Sequence, residues 1–329
     1  MTKKTYKDAG VDIDLEAQAV AALISKLSFQ RKGEVKPLSD SGHFAGMVSF
    51  GEYVLALATD GVGTKMLVAD EMQNWSTVGI DCIAMNVNDL YVMNLEPVAF
   101  VDYIATDSLS LSQMEQIGVG LNRGSELANI SIIGGETATL KGMVVGLDLA
   151  GTALGIQKKS EVITGEKIVP GDLIIGVPSS GVHSNGLTLA RSLVHTHAGM
   201  QENFQGKTFG EELLTPTRIY HEVLSLTKIC DVHGMCHITG GGLLNLKRLS
   251  KYGFSITDPL PPQEIYHWMQ DVADISDIEM YKTFNMGMGY VIVVPASEEN
   301  CVKSVFPDAQ VVGVVSDETD VFLREVKIG

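Results

Sequence analysis

Strand-length apolar runs alternate with helix-patterned segments along the whole of this 329-residue chain. In the first half, the strand candidates are GMVSFGEYVLALATD, PVAFVDYIAT, ISIIGGET and MVVGLDLAGTALGIQ. In the second half, DLIIGVP, GYVIVVP and QVVGVV are strand candidates, again with helices between them. The alternation predicts an α/β fold in which helices cover mixed sheets.

The length exceeds what one hydrophobic core usually supports, so we expect two domains of roughly 150 residues each. The polar stretch KKSEVITGEKIVPGD, residues 158–172, is rich in turn residues and is the candidate boundary. We therefore divide the chain into residues 1–165 and 166–329, each an α/β domain. A β-hairpin is expected to turn at Gly51 and Glu52. Helices are expected over residues 14–27, 77–93, 112–129, 185–194, 217–228 and 242–250.

Composition and charge exclude several classes of partner. The chain has 24 Lys and Arg against 40 Asp and Glu, a formal net charge of −16, which repels the phosphate backbone of nucleic acids. No apolar run reaches the ~18 residues of a membrane span, and the N-terminus lacks the apolar core of a secretion signal. We expect a cytoplasmic protein that binds neither nucleic acid nor membranes. Its four cysteines contain no CxxC pair and are expected to be reduced thiols.

The segment LATDGVGTK combines a carboxylate, bare backbone and a cation directly after a strand candidate. Glycines let backbone N–H groups approach phosphate oxygens, and an aspartate can hold Mg²⁺ against the same phosphates. The segment is not a Walker A motif, and the chain has no GxGxxG. A polar turn closing a hairpin is the alternative. The residues predicted to form a phosphate cradle are Asp60, Gly61, Gly63, Thr64 and Lys65.

Two further acidic segments favour a metal site. In GIDCIAMNVNDL, Asp81, Asn88 and Asp89 fall on one flank of a helix, where buried carboxylates require a cation or donor. In IIGGETATL, Glu136 comes at the carboxyl end of a strand, the edge at which ligands gather in open α/β sheets. The alternatives are a solvated helix face and a helix cap by Glu136. We predict that Asp60, Asp89 and Glu136 form an oxygen-only site that suits Mg²⁺.

The segment SSGVHSNGLTLA predicts a recognition loop between a strand and a helix. Its G-x-x-S-x-G spacing differs from the G-x-S-x-G of hydrolase elbows, which weakens a serine-nucleophile interpretation. Free N–H groups at the helix start, together with Ser184 and Asn185, suit amide or anion recognition. His183 can move a proton near neutral pH. A packed loop histidine beside a helix cap is the alternative.

The segment CDVHGMCHITGGGLLNLKR has cysteines and histidines whose spacing matches no usual structural zinc site. Its glycine-rich turn is the stronger signal, because such a turn can hold a phosphate at a helix N-terminus. The predicted phosphate-binding residues are Thr239, Gly240, Gly241 and Gly242. The small-residue segment SDSGHFAGM, residues 39–47, is either a lid over phosphates or a plain loop.

Eight motifs occur in the order found in the phosphoribosylformylglycinamidine cyclo-ligases, also called aminoimidazole ribonucleotide synthetases, which the chain resembles over nearly its whole length. They are YKDAGVDID, TDGVGTK, GIDCIAMNVNDL, IGGETATL, SSGVHSNG, LTPTRIY, HITGGG and MYKTFNMGMG. The chain departs from the family pattern where Asn94 and Leu95 replace glycine and alanine. Asparagine can adopt the left-handed conformation that glycine would take there. A second departure is that SGHFAG has fewer glycines than the family's loop.

The resemblance implies a reaction, its cofactors and its partners. ATP phosphorylates the formamide oxygen of formylglycinamidine ribonucleotide, a substrate nitrogen attacks the activated carbon, and phosphate leaves to give aminoimidazole ribonucleotide. ATP and Mg²⁺ are implied, as is a homodimer whose first domains pair. Formylglycinamidine synthase, thiamine monophosphate kinase and selenophosphate synthetase share the architecture, and a silent nucleotide-binding subunit is an alternative of another class.

The resemblance also implies a role for each predicted site residue. Asp60, Lys65 and His183 are catalytic. The residues implied to contact ATP are Lys26, Gly61, Gly63, Thr64, Lys65 and Asp81. The substrate amidine is expected to face His183, Ser184 and Asn185, and the ribose phosphate to lie on residues 239–242.

Overall fold

The computed structural model describes residues 13–29, 31–38 and 44–328. It contains two separate main sheets, one in each half of the chain, and this confirms the α/β prediction. Residues 39–43 of the expected lid or loop, and most of the YKDAGVDID motif, lie outside the described residues.

The first half forms a five-stranded mixed sheet. Its strand order is β1-β2-β5-β3-β4, in which only the β3–β4 pair is parallel. The strands are β1 (Gly46–Phe50), β2 (Tyr53–Gly61), β3 (Glu96–Thr106), β4 (Ser131–Thr139) and β5 (Leu147–Lys158). The helices are α1 (Ile13–Ile24), α2 (Lys65–Met72), α3 (Val78–Tyr91) and α4 (Leu111–Ala128). The predicted hairpin is confirmed, with Gly51 at a φ of 59° in its turn.

Helix α3 lies between the first sheet and the rest of the protein. It contacts β2, β3 and β5 on one side and α4 on the other, and twelve of its fourteen residues are buried. The α3–α4 contact is close because glycines meet there. A Cβ on Gly79 would overlap the backbone nitrogen of Leu121, and one on Gly120 would lie 2.7 Å from the carbonyl oxygen of Ser76.

The second half forms a seven-stranded sheet in the order β14-β13-β10-β12-β6-β11-β9, and a separate two-stranded hairpin. Its strands are β6 (Leu173–Pro178), β7 (Asn203–Phe204), β8 (Lys207–Thr208), β9 (Gly234–His237), β10 (Gly253–Ile256), β11 (Met288–Val294), β12 (Gln310–Ser316), β13 (Val321–Leu323) and β14 (Val326–Lys327). Its α-helices are α5 (Leu187–His197), α6 (Phe209–Leu213), α7 (Val223–Leu226), α8 (Glu264–Ala273), α9 (Asp277–Thr283) and α10 (Glu299–Val305). Short 3₁₀ helices span Lys159–Glu161, Gly242–Arg248 and Ala296–Glu298.

Asn94 ties the two halves together. It takes a left-handed φ of 59°, a conformation that asparagine adopts more readily than most other residues. Its side-chain Nδ2 donates to the Glu161 carbonyl at 2.9 Å, and its Oδ1 accepts from Thr227 Oγ1 at 2.7 Å. The Asn94 side chain therefore contacts both the linker and the second half.

Two helix predictions differ from the structure. Of the helix expected over 217–228, only Val223–Leu226 is α-helical. Residues 215–220 have no regular secondary structure, and their backbone bonds to α3 instead. The helix expected over 242–250 is a 3₁₀ helix at Gly242–Arg248. The elements that were not predicted are helices α2, α6, α8, α9 and α10 and strands β7, β8, β9, β10, β13 and β14.

The expectation of reduced thiols is wrong for two of the four cysteines, since Cys230 and Cys301 form a disulfide. The two residues are 71 positions apart in sequence, so their proximity follows from the tertiary fold and not from local spacing. Cys82 and Cys236 are free and buried. Among the described helices, none is long and apolar enough to cross a bilayer.

Candidate active site

Most of the predicted site residues lie along the contact between the two halves, and we call this region the cleft. Helix α3 forms one wall and presents Asp81, Asn88 and Asp89, the three residues predicted to share a flank. Asp81 and Asn88 are fully buried, whereas the Asp89 side chain is 19% exposed. Asn88 bonds to the second half, donating from Nδ2 to the carbonyl oxygen of Arg218 at 2.8 Å.

Lys65 and Asp81 form a buried ion pair. Lys65 is the first residue of α2, and its Nζ lies 2.8 Å from Asp81 Oδ1 and 2.7 Å from the carbonyl oxygen of Thr215. Neither side chain is exposed. Burial lowers the pKa of Lys65, and the neighbouring Asp81 charge opposes that shift. In this arrangement the ammonium faces protein oxygens and not solvent.

One oxygen of Asp81 collects four hydrogen bonds. Besides Lys65, its Oδ1 accepts from the backbone N of Thr217 at 2.8 Å, from Thr217 Oγ1 at 2.6 Å and from Ser184 Oγ at 3.1 Å. The other oxygen, Oδ2, is buried and has no partner among the described residues. Asp81 thus joins the first half to two segments of the second.

Asp60 is the last residue but one of β2, and its Oδ1 accepts from the backbone N of Gly61 at 2.7 Å. The residue is accessible to solvent, yet surrounding protein raises the pKa of its carboxyl. The Gly61 bond opposes this rise, Asp89 adds to it by repulsion, and His237 opposes it. Gly63, with a φ of 67°, has open space where a Cβ would point, and Thr64 Oγ1 lies 3.0 Å from Thr188 Oγ1.

His237 is a candidate functional residue that the sequence did not reveal. It is fully buried on β9, and its Nδ1 lies 3.1 Å from Asp89 Oδ1. Asn88 Nδ2 lies 3.5 Å from His237 Nε2, so in the neutral ring Nδ1 carries the proton and donates to Asp89. The HITGGG motif drew attention to its glycines, and nothing in its spacing links His237 to α3.

Glu136 does not join the other predicted metal ligands within one chain. The cross-strand row runs from Asp60 through Gly151 and Asp102 to Gly135. Side chains alternate along a strand, so Glu136 points to the opposite face of the sheet. Within the described residues, the ligand oxygens of Asp60, Asp89 and Glu136 do not meet at a common point.

Asp102 lies on the cleft side of the sheet, two strand spacings or roughly 10 Å from Asp60. A Cβ on Gly135 would lie within 2.8 Å of both Asp102 carboxylate oxygens or overlap them, so Gly135 makes room for this carboxylate. Burial raises the pKa of Asp102. Its signal in the sequence was one acidic residue inside the apolar run PVAFVDYIAT.

The His183 loop brings a neutral imidazole to the cleft. His183 is 1% exposed with a φ of 62°, and its Nε2 accepts from the backbone N of Ser180 at 3.2 Å. Burial lowers its pKa well below the usual value, and the neighbouring His237, Lys65 and Arg218 add to the effect. The proton of the neutral ring is therefore on Nδ1, which has no partner in the described chain.

The glycine turn adjoins this loop. A Cβ on Gly240 would lie 3.2 Å from Asn185 Oδ1, so the two segments are in contact. Thr239 donates its backbone N–H to Asn245 Oδ1 at 2.9 Å. Gly241 and Gly242 have φ values of 98° and 53° at the start of the 3₁₀ helix.

Lys26 lies outside the cleft region as the structure places it. It follows α1, whose described side chains are exposed, and is itself exposed.

A cavity of about 550 Å³ is also separate from the cleft. Residues 160–167 and 230–233 form much of its wall, and none of the predicted site residues lines it.

Two family models match the chain. AIR synthase related protein, N-terminal domain, matches residues 42–157, and AIR synthase related protein, C-terminal domain, matches residues 169–325. The domain boundary at residue 165 falls in the interval between them and stays a prediction.

Curated relatives match over almost the full length. The phosphoribosylformylglycinamidine cyclo-ligase of Methanosarcina barkeri is 54% identical over 298 residues, which cover 89% of this chain and 90% of that protein. The enzyme of the same name from Methanocaldococcus jannaschii is 48% identical over 328 residues, covering 96% and 93%.

Solved structures share the fold at low identity. Thiamine monophosphate kinase from Aquifex aeolicus has a TM-score of 0.65 at 18% identity, covering 96% of this chain and 97% of that one. A HypE–HypF complex has a TM-score of 0.68 at 16% identity, covering 93% and 95%. These structures support the fold, and the sequence relatives identify the enzyme. The chain belongs to the phosphoribosylformylglycinamidine cyclo-ligase family, ATP-dependent ligases that close the imidazole ring of aminoimidazole ribonucleotide in purine biosynthesis.

Proposed function

We propose that this chain closes the ring in the cleft between α3 and the His183 loop, with the reacting amidine of formylglycinamidine ribonucleotide against His183 and Asn185. The observation that carries this assignment is the buried, unpartnered Nδ1 of His183. A buried donor without a partner costs free energy that a ligand acceptor can recover. The adjoining turn at residues 239–242 is the proposed binding site of the ribose phosphate.

His183 acts in this scheme as a fixed hydrogen-bond donor. Its lowered pKa and the Ser180 bond to Nε2 keep the ring neutral with the proton on Nδ1. We assign that proton to the formamide-derived oxygen, which becomes the leaving phosphate oxygen once the substrate nitrogen has attacked the carbon. A preorganised donor at such an oxygen contributes about 10²–10³-fold to the rate in other enzymes.

Asp60 and Asp89 are the proposed holders of Mg²⁺, with the backbone from Gly61 to Thr64 beside the triphosphate. Burial raises the pKa of Asp60, and repulsion from Asp89 adds to that rise. An oxygen-only pair suits an ion that takes its other ligands from phosphates and water. When bound, Mg²⁺ neutralises charge on the phosphoryl group being transferred. A HypE solved with ATP and a thiamine monophosphate kinase solved with AMPPCP share this fold.

A homodimer is the proposed assembly, because the outer face of the first sheet is apolar and exposed. Tyr53, Leu57, Val101 and Tyr103 lie on it with 37–57% of each side chain accessible. Exposed apolar patches of this kind mark interaction sites. Glu136 lies on the same face as Tyr103, so its proposed metal role depends on what this face meets in the dimer. A cytoplasmic location also stays a prediction.

The test separates nucleotide binding from ring closure. Purified protein is incubated with formylglycinamidine ribonucleotide and Mg-ATP, and aminoimidazole product is measured by diazotisation. We expect His183→Asn to lower product formation about 100-fold while ATP affinity by calorimetry changes little. Asp60→Asn should weaken Mg-ATP binding as well. The matched control is Asp317→Asn, an exposed aspartate of the second half.

Two results would count against these assignments. Wild-type turnover in His183→Asn would remove His183 from the reacting centre. ATP binding without any product in the wild-type protein would revive the alternative of a silent nucleotide-binding subunit.

A further inference from the structure

Residues 214–220, LTPTRIY, form an extended connector segment along α3. Thr77 Oγ1 donates to the Leu214 carbonyl at 3.1 Å. Asn88 donates to the Arg218 carbonyl at 2.8 Å and accepts from the backbone N of Tyr220 at 3.0 Å. Thr77, Asp81 and Asn88 are four and seven positions apart, so they lie along one side of the helix.

The Lys65–Asp81 pair sits in the middle of this contact. Asp81 accepts both donors of Thr217, and Lys65 donates to the Thr215 carbonyl. Both charged side chains are wholly buried. Each charge is thus used to hold the connector segment against the first half.

A phosphate role for Lys65 would break this arrangement. The ammonium would have to leave Asp81 and the Thr215 carbonyl, and Asp81 would remain as a buried carboxylate without its counterion. Breaking a buried pair from one side is among the most destabilising single changes known in proteins. We therefore expect the Lys65 ammonium to stay paired with Asp81 and not to bind a ligand.

The connector segment also reaches the His183 loop. Asp81 accepts from Ser184 Oγ, and the Pro216 carbonyl accepts from Ser180 Oγ at 2.6 Å. Ser180 in turn donates its backbone N–H to His183 Nε2, the bond that sets which ring nitrogen carries the proton. A continuous path of contacts thus runs from Lys65 to the proposed catalytic donor.

We infer that Lys65 is a positioning residue, which acts through Asp81 and the connector segment to place the His183 loop, and is not a ligand of the ATP phosphates. The inference rests on the proposed function for its link to His183. Its structural part, the coupling of Lys65 to Asp81, stands apart from the identity of the substrate.

The test is a double-mutant cycle with Lys65→Met, Asp81→Asn and both together. Each single variant leaves a buried charge or unpaired group and should lower the melting temperature by about 6 °C or more. The double variant keeps acceptor and packing without charge, and should melt closer to the wild type than Lys65→Met does. In the double variant, calorimetry should give an ATP dissociation constant within about threefold of wild type, a difference below 1 kcal/mol.

Steady-state kinetics distinguish a positioning role from a purely structural one. Lys65→Met and Asp81→Asn should both lower kcat for ring closure more than they raise the KM for ATP. If Lys65→Met does not fold, Asp81→Asn and the double variant still decide the question. A tenfold or larger loss of ATP affinity in a well-folded double variant would overturn the inference, as would additive melting-temperature losses. Absence of ring closure in the wild type, with the coupling intact, would instead count against the proposed function.

Discussion

His183 and Asp81 each keep one polar atom unpartnered in the described part of the chain, and both atoms belong to residues that the sequence motifs had marked. Motif spacing could place these residues in one neighbourhood because glycine-rich loops and strand ends position ligands in α/β folds. It could not predict which nitrogen of His183 carries the proton, because that depends on burial and on the bond from Ser180. It also could not predict the hydrogen bond from Lys65 to the Thr215 carbonyl, because the two residues are 150 positions apart. His237 was missed for the same reason.

The buried state of His183 predicts a pH dependence of stability. Its folded pKa lies below the unfolded value of about 6.5, so below that pH the unfolded chain binds a proton that the folded protein excludes. The free energy of unfolding should therefore fall as the pH drops from 7.5 to 5.5, by up to about 1.4 kcal/mol per unit from this group. Urea denaturation at pH 7.5, 6.5 and 5.5 measures the slope.

The variant His183→Asn should flatten that slope, because asparagine does not titrate and tolerates the positive φ at this position. The exposed His267 of α8 provides the control, and His267→Asn should keep the wild-type slope. An unchanged slope in His183→Asn would show that other groups govern the acid sensitivity.

At the scale of elements, apolar periodicity predicted the helices whose apolar face packs on a sheet, and α3 is the clearest case. It failed over residues 217–228, where the apolar spacing suits a helix but the backbone groups of the connector segment bond instead to Thr77, Asp81 and Asn88. Tertiary hydrogen bonds overrode local preference there. Helix α2 was missed because its first turn is the glycine and lysine motif, which we had interpreted as a loop.

The α3–α4 contact predicts opposite effects for two glycines of the same kind. Gly79→Ala should destabilise the protein by about 1–3 kcal/mol, because its new methyl group would collide with the backbone at Leu121. Gly118→Ala on α4 meets no atom within 4 Å and should be neutral or stabilising by up to about 1 kcal/mol, from helix propensity. Thermal unfolding of both variants checks the contrast, and equal losses would mean that helix packing tolerates the methyl group.

For the whole molecule, composition and length were sufficient to anticipate two α/β domains, because a chain of this size divides its apolar residues between two cores. They did not predict the hydrogen bonds that join the two halves. Asn94, Asp81 and Asn88 all belong to the first half, and each bonds to the second. The disulfide between Cys230 and Cys301 was equally invisible, since no local spacing indicates it.

The exposed sheet face predicts the oligomeric state. We expect Leu57→Glu and Tyr103→Glu to convert a dimer into monomers, because each places a charge on the apolar outer face. Light scattering after size-exclusion chromatography measures the mass directly. Leu111→Glu, on an exposed residue at the start of α4 away from the sheet, is the matched control and should stay dimeric. A wild-type protein that is monomeric at micromolar concentration would contradict the prediction.

The extended run beside α3 also limits how the enzyme can move. A rigid-body rotation of one half against the other would pull Thr217 from the Asp81 carboxylate and would separate the Lys65 ammonium from the Thr215 carbonyl. We therefore expect the two halves to move as one unit during the catalytic cycle. We expect nucleotide entry and product release to depend on motion of surface loops. Turnover should therefore respond more strongly to changes in those loops than to changes in the contact between the two halves.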